Sequence, residues 1–147
     1  SWVARGWGAP DAMAAVTTIT RVHQVLMQRV EAILREHDLT FARYEVLVLL
    51  TFSQTGALPL GKVGERLQVS PASVTNAVDR LEASGFVSRE PHPTDGRTTL
   101  AGREVVEAAT AELTAGRFGA RGLDDAAARQ LFDLLVPFRA EAGDFPA

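Results

Sequence analysis

The chain has no cysteine among its 147 residues. Disulfides, thiolate nucleophiles, thiol-based redox sensing and cysteine-type zinc sites are thereby excluded together. There is also no run of 18 or more uninterrupted apolar residues and no charged-then-apolar leader ending in a small-residue cleavage site, so neither a membrane span nor a signal peptide is indicated and a cytoplasmic protein is expected. Gly-rich phosphate loops, a Gly-x-Ser-x-Gly elbow and paired His and carboxylate constellations are missing, which argues against an enzyme. His23, His37 and His92 are far apart and lack the spacing of metal ligands, so no metal and no cofactor are expected. A surplus of positive charge is missing too. The net charge of −3 argues against a protein that coats nucleic acid non-specifically, which needs an excess of Lys and Arg. A local reader with its positive groups on one face stays compatible with that total.

What the chain does have is apolar material. At 46% hydrophobic residues it has enough for a core, and residues 1–147 are expected to fold as one domain. From Asp11 to about Glu36 there is no Pro or Gly. Val16, Ile19, His23, Leu26, Val30 and Ile33 recur there at steps of three and four, which predicts a long helix. Val22, Val25 and Met27 widen its apolar surface beyond one stripe, leaving a second face for another chain to cover. Thr40 is a predicted N-cap for a second helix through Tyr44, Leu47, Val48 and Thr51 up to Gly56. After Leu58-Pro59, Leu60 to Leu67 reads as a two-turn helix, with Gln68-Val69 as a tight connection.

Ser70-Pro71 then gives a strong start signal, a serine cap followed by proline at the first helical position. The helix so begun ends at Gly85. Val74, Ala77, Val78 and Leu81 face one way, and Ser73, Asn76 and Arg80 the other. A short helix, a tight turn and a second helix with a polar outer face make a helix-turn-helix. Phe86 to Arg89 and Arg97 to Leu100 are compatible with two strands around the turn formers Pro91 to Gly96, a hairpin that forms a wing. Glu104 to about Phe118 is helical again. A last helix, capped by Asp124 or Asp125, carries Leu131, Leu134, Leu135 and Phe138, with Pro137 expected to bend or shorten it. The fold class is mainly α with a small β-wing, a winged helix-turn-helix.

Leu39-Thr40, the stretch Ser70-Pro71-Ala72-Ser73-Val74-Thr75, and the run from Val78 to Arg89 leading into Asp95-Gly96-Arg97 resemble the MarR family of transcription regulators. The resemblance runs from about Val16 to the last helix and is strongest between Pro59 and Leu100. It implies that residues 11–38 and 103–140 hold the dimerisation helices and residues 40–100 the winged DNA-binding part of a homodimer. It also implies a small anionic, often aromatic, effector bound between those parts. One departure is that the second wing strand usually runs further. Here Leu100-Ala101-Gly102-Arg103 follows at once, so either the wing is truncated or residues of that segment are missing.

Small polar side chains on the exposed first turns of a helix let its backbone approach base edges in the major groove of double-stranded DNA. Ser73, Thr75, Asn76 and Arg80 are the predicted readers, beside the cap Ser70; the bland alternative is a solvated polar face. Asn suits adenine and Arg suits guanine. Arg97 suits the minor groove, and the resemblance implies that Asp95 holds an arginine beside it; the alternative is a surface turn that Asp95 merely caps. Arg89 and Lys62 are weaker candidates for phosphate contacts.

For the effector, Trp7 is the first candidate. With Trp2 and Arg5 it resembles an extra N-terminal helix that covers such a pocket, although two tryptophans packing that segment onto a dimer fit equally. His23 is open to three readings: a hydrogen-bonded core or interface residue, a pH-responsive group, or a ligand contact. Arg43 reads either as an anion contact near its helix start or as a solvated arginine. Two functions stay open: a dimeric regulator, most simply a repressor, on a pseudo-palindromic operator, and a winged helix used only for protein interaction.

Overall fold

The structure is a computed structural model that describes residues 1–90 and 96–145. A short 3-10 turn, Val3–Arg5, precedes helix α1, Pro10–Arg35. Proline at the first helical position donates no hydrogen bond and none is needed there. Helix α2, Phe41–Phe52, starts where predicted: the Thr40 hydroxyl accepts from the Arg43 amide at 3.3 Å. It stops four residues short of Gly56, because Ser53 turns extended and its hydroxyl donates to the Leu50 carbonyl at 2.7 Å.

The segment after Gly56 corrects the sequence reading. Ala57–Pro59 is a strand, β1, and not merely the approach to helix α3, Leu60–Leu67. Helix α4, Pro71–Ala83, is followed by strands β2, Val87–Glu90, and β3, Arg97–Leu100. The expected hairpin is thus part of a three-stranded antiparallel sheet in the order β1-β3-β2, with Leu58 opposite Thr98 and Arg89 opposite Thr98 on the other side. The sheet ties the wing to the loop that follows α2: Leu100 donates to the Gly56 carbonyl and Leu60 to that of Gly96.

The return strand ends at Leu100, next to a close approach to Phe86. The amides of Ala101 and Gly102 both donate to the Phe86 carbonyl at 2.9 Å, and a Cβ on Gly102 would lie 3.0 Å from the Phe86 side chain. A side chain there would need Phe86 to give way by a few tenths of an ångström, and the chain passes from this close approach into helix α5, Arg103–Ala115. The helix expected to reach Phe118 ends at Ala115 and gives way to a 3-10 turn, Arg117–Gly119. Gly119, at φ 82°, lets its carbonyl accept from the Arg29 guanidinium at 2.8 Å, which pins that turn to α1. Helix α6, Asp125–Glu141, is capped by the Asp124 carboxylate on the Ala127 amide at 2.8 Å. It runs through Pro137 undivided, against the expected shortening.

One apolar core joins α3 and α4 to α1, α2 and α5. Val30 and Leu34 of α1, Leu47 and Leu50 of α2, Val63 of α3, Val78 and Leu81 of α4 and Leu113 of α5 are all buried in it. Each fully buried Leu or Val contributes roughly 1.5–3 kcal/mol, so these contacts dominate what fixes α4 on its support. A polar clip adds register: the Ser84 hydroxyl, at the end of α4, donates to Asp38 just after α1 at 2.6 Å. By contrast, Val16, Ile19 and Val22 of α1 and Leu131, Phe132, Leu134 and Phe138 of α6 are exposed.

Candidate nucleic-acid interface

Helix α4 is built as the sequence predicts. The Ser70 hydroxyl accepts from the Ser73 amide at 3.2 Å and lies 3.0 Å from the Ser73 hydroxyl. Such a cap satisfies one of the unpaired amides of the first turn. Val74, Val78 and Leu81 are buried, while Ser73, Thr75, Asn76 and Arg80 are all exposed. Ser73, Asn76 and Arg80 stand at steps of three and four, so the structure brings them to one face, with Thr75 on its flank. That face presents short hydroxyls and an amide first and a guanidinium one turn later.

The wing residues are tied more tightly than their sequence positions suggest. Arg89, on β2, forms an ion pair with Asp79 of α4 and donates to the Thr75 carbonyl at 3.4 Å. Its backbone amide also donates to the Glu82 carboxylate at 3.2 Å. Arg97 opens β3 opposite Glu90 and Pro59, half-buried, and its guanidinium donates to the Thr55 hydroxyl at 3.3 Å. Asp95 and His92 lie outside the described residues. Lys62 is exposed on α3 and bonded to Glu65 at 2.9 Å, which holds that carboxyl below the usual carboxylate range. Asp79 and Thr55 were missed by sequence reasoning, because nothing local marks a carboxylate or hydroxyl as the partner of a distant arginine.

A second feature lies on the other side of α2. A cleft of about 840 Å³ opens between α2 and α5, lined by Phe41, Tyr44, Val48, Leu49, Phe52 and Thr110 among others. The Tyr44 and Thr110 hydroxyls are 2.7 Å apart, and the rings of Phe41 and Tyr44 stack at 6.5 Å. Glu45 stands in the lining, and burial pushes its carboxyl above the usual carboxylate range, partly offset by Arg139. The signal for it was available: Glu45 is the one carboxylate in the otherwise apolar run from Tyr44 to Leu50.

Trp7, His23 and Arg43 do not line this cleft. Trp7 is exposed, meets Trp2 edge-on at 4.9 Å and lies under the Arg5 guanidinium at 5.7 Å. His23 is exposed on α1, in a shallow groove with Met27 and Thr40, while the Arg43 side chain donates to the Thr40 hydroxyl at 3.2 Å. Among the described residues no hydrogen bond, ion pair or ring contact joins the three.

Comparison with known proteins accords with this geometry. The MarR family model matches residues 41–99, which span α2 to the last strand. Sco5413, a MarR family transcriptional regulator from Streptomyces coelicolor, has a similar structure at a TM-score of 0.89 and 50% identity, over 95% of this chain and 100% of that one. CouR from Rhodococcus jostii RHA1, solved bound to p-coumaroyl-CoA, gives 0.69 at 26% identity, over 88% of this chain and 91% of its own. The HTH-type transcriptional regulator ML2140 of Mycobacterium leprae is 40% identical over 70 residues, 44% of this chain and 49% of that protein. The match to such curated relatives spans about half their length. With half its residues shared along the whole of Sco5413, and with a mostly helical winged fold, the chain belongs to the MarR family of transcriptional regulators.

Proposed function

We propose that the chain is a DNA-binding transcription regulator that represses by occupying a pseudo-palindromic operator as a homodimer, and that a small molecule releases it. The observation that carries this reading is the division of α4, with its apolar side buried in the core and its capped polar side exposed beside the wing. Ser73, Thr75, Asn76 and Arg80 read bases or phosphates in the major groove, with Ser70 at the helix start. Arg97, with Asp95, serves the minor groove. No catalytic role is assigned.

The homodimer is supported by the exposed apolar residues of α1 and α6, which flank the reading half at both ends of the chain. Pairing of residues 11–38 and 103–140 with a second copy removes that surface from water. Two recognition helices then need a separation of roughly 34 Å to reach successive major-groove faces. A ligand that favours another spacing weakens binding without touching DNA. The α2–α5 cleft, rather than Trp7, His23 and Arg43, is the place proposed for that ligand. CouR, of the same fold, is bound to p-coumaroyl-CoA. The site of action is the cytoplasm; no helix among the described residues is long and apolar enough to cross a membrane.

Titrating the full chain into duplex DNA at several salt concentrations tests the reading. Log affinity is expected to fall linearly with log salt, because phosphate contacts release counterions. Absence of binding at low salt favours the alternative, a winged helix used for protein interaction. The acidic net charge and the pairing of Arg89 and Lys62 with carboxylates lend that alternative its support.

A further inference from the structure

Strand β3 enters the sheet from the turn of the wing at Arg97 and leaves it at Leu100. Strand β1 runs the other way, so Pro59 stands opposite Arg97 at the end near that turn and Ala57 opposite Thr99 at the far end. Thr55 comes two residues before Ala57, and between them the Gly56 carbonyl accepts from the Leu100 amide at 2.8 Å. The Thr55 hydroxyl therefore sits at the base of the wing, at the opposite end of β3 from the turn. Side chains alternate along a strand, and Thr98 is buried in the core, so Arg97 and Thr99 share the outer face of the sheet. Donation from the Arg97 guanidinium to Thr55, at 3.3 Å, needs the side chain to run back along that face, away from the turn.

The chemistry of the contact suits a holding place. A threonine hydroxyl has one hydrogen to give, and here it goes to the Ala57 carbonyl at 3.2 Å, which leaves the oxygen lone pairs for Arg97. Thr55 is also a neutral acceptor, so it orients a guanidinium without cancelling its charge, unlike the carboxylates that hold Lys62 and Arg89. The minor groove is about 6 Å wide and about 7.5 Å deep, so an arginine lying flat along a strand has to swing outward to enter it. We propose that Thr55 is a resting place for Arg97, which holds the guanidinium charged but folded back in the free protein and gives it up when DNA binds. This rests on the reading of Arg97 as the minor-groove arginine. The two contacts compete, so removing the rest strengthens DNA binding.

The test uses the full chain and a duplex enriched from a random pool, with A·T flanks. Variants are made in a Glu90→Gln background, because Glu90 stands opposite Arg97 and would capture a freed guanidinium. Thr55→Val keeps the shape and removes the acceptor, and is expected to bind the duplex about 2- to 10-fold more tightly, the range of one hydrogen bond. Thr55→Ser keeps the hydroxyl and is expected to match the background protein. With Arg97→Ala added, Thr55→Val is expected to change nothing. General damage to the wing lowers affinity, so a gain that needs Arg97 separates the rest from a merely structural role. Unchanged or weaker binding by Thr55→Val overturns the proposal, as does a gain that survives Arg97→Ala. Nitrogen-15 spectra of the arginine side chains, taken without DNA, give a second readout: rotation of the Arg97 guanidinium is expected to be slower with Thr55 or Ser than with Val, and equal rates overturn the proposal. Failure of the parent chain to bind any duplex at low salt overturns the DNA reading itself, and the spectra then still decide whether the rest exists.

Discussion

The guanidinium of Arg89, on the strand that enters the wing, closes on the carboxylate of Asp79, on the outer side of the recognition helix. Both side chains are partly exposed, at 31% and 54%, so the pair contributes about 0.2–1 kcal/mol to stability. Its position matters more than its strength, because it sets the wing against α4. Arg89→Ala is expected to reduce DNA affinity by more than its small stability cost accounts for. Asp79→Asn is expected to do part of the same, and a double-mutant cycle on chemical denaturation should return a coupling within that range. Additive stability losses together with unchanged DNA affinity would contradict the assignment.

In the proposed function Arg80 and Arg97 serve different grooves of the DNA. Truncating a side chain that contacts a base costs about 1–3 kcal/mol and relaxes specificity at that position, whereas losing a phosphate contact lowers affinity for all sequences and reduces the salt slope by about 1. Arg80→Ala is expected to show the first pattern. Arg97→Ala is expected to weaken binding, with its largest effect on A·T-rich flanks, where the minor groove is narrow. Measuring both variants across a panel of operator mutants separates the two. If neither variant changes affinity, the site is misplaced.

Ser70→Ala removes the hydroxyl that accepts from the Ser73 amide. Loss of such a cap costs about 0.5–2 kcal/mol, seen as a lower denaturation midpoint with an unchanged denaturant dependence. Ser70→Asp restores an acceptor and is expected to recover most of that stability. It also places a negative charge at the start of the recognition helix, so DNA affinity is expected to stay reduced.

Much of this fold was legible in the sequence because its signals are local. Ser70-Pro71, Thr40 and Asp124 are side-chain caps within three residues of the amides they bind, and all three are formed. Strand β1 was not legible, since Ala57-Leu58-Pro59 has no alternation and its partner is Arg97 to Thr99, some forty residues on. The polar face of α4 follows from helical periodicity and is exposed as expected. The clasps on Arg89 and Arg97 come from Asp79 and Thr55, which are tertiary partners that no local pattern marks. The cleft depends on α2 packing beside α5, and no pattern within either helix encodes it.

Glu45 provides a pH-dependent check. Its folded carboxyl is raised above the ordinary value, first by burial, with Arg139 acting in the opposite direction. The folded state therefore holds this proton to higher pH than the unfolded one. The stability it contributes is fully present below the unfolded titration and is lost as pH rises through the folded titration. Glu45→Gln is expected to match the parent in acid and to be the more stable at neutral pH. Thermal melts across that window check it, and a variant less stable at neutral pH would contradict the burial argument.

The most direct test is selection of bound sequences from a random duplex pool, with the mass of the purified complex determined alongside. The account predicts enrichment of an inverted repeat, with half-site centres about one helical turn apart, bound by two chains. No enrichment at low salt, or a single chain on an asymmetric site, would contradict it.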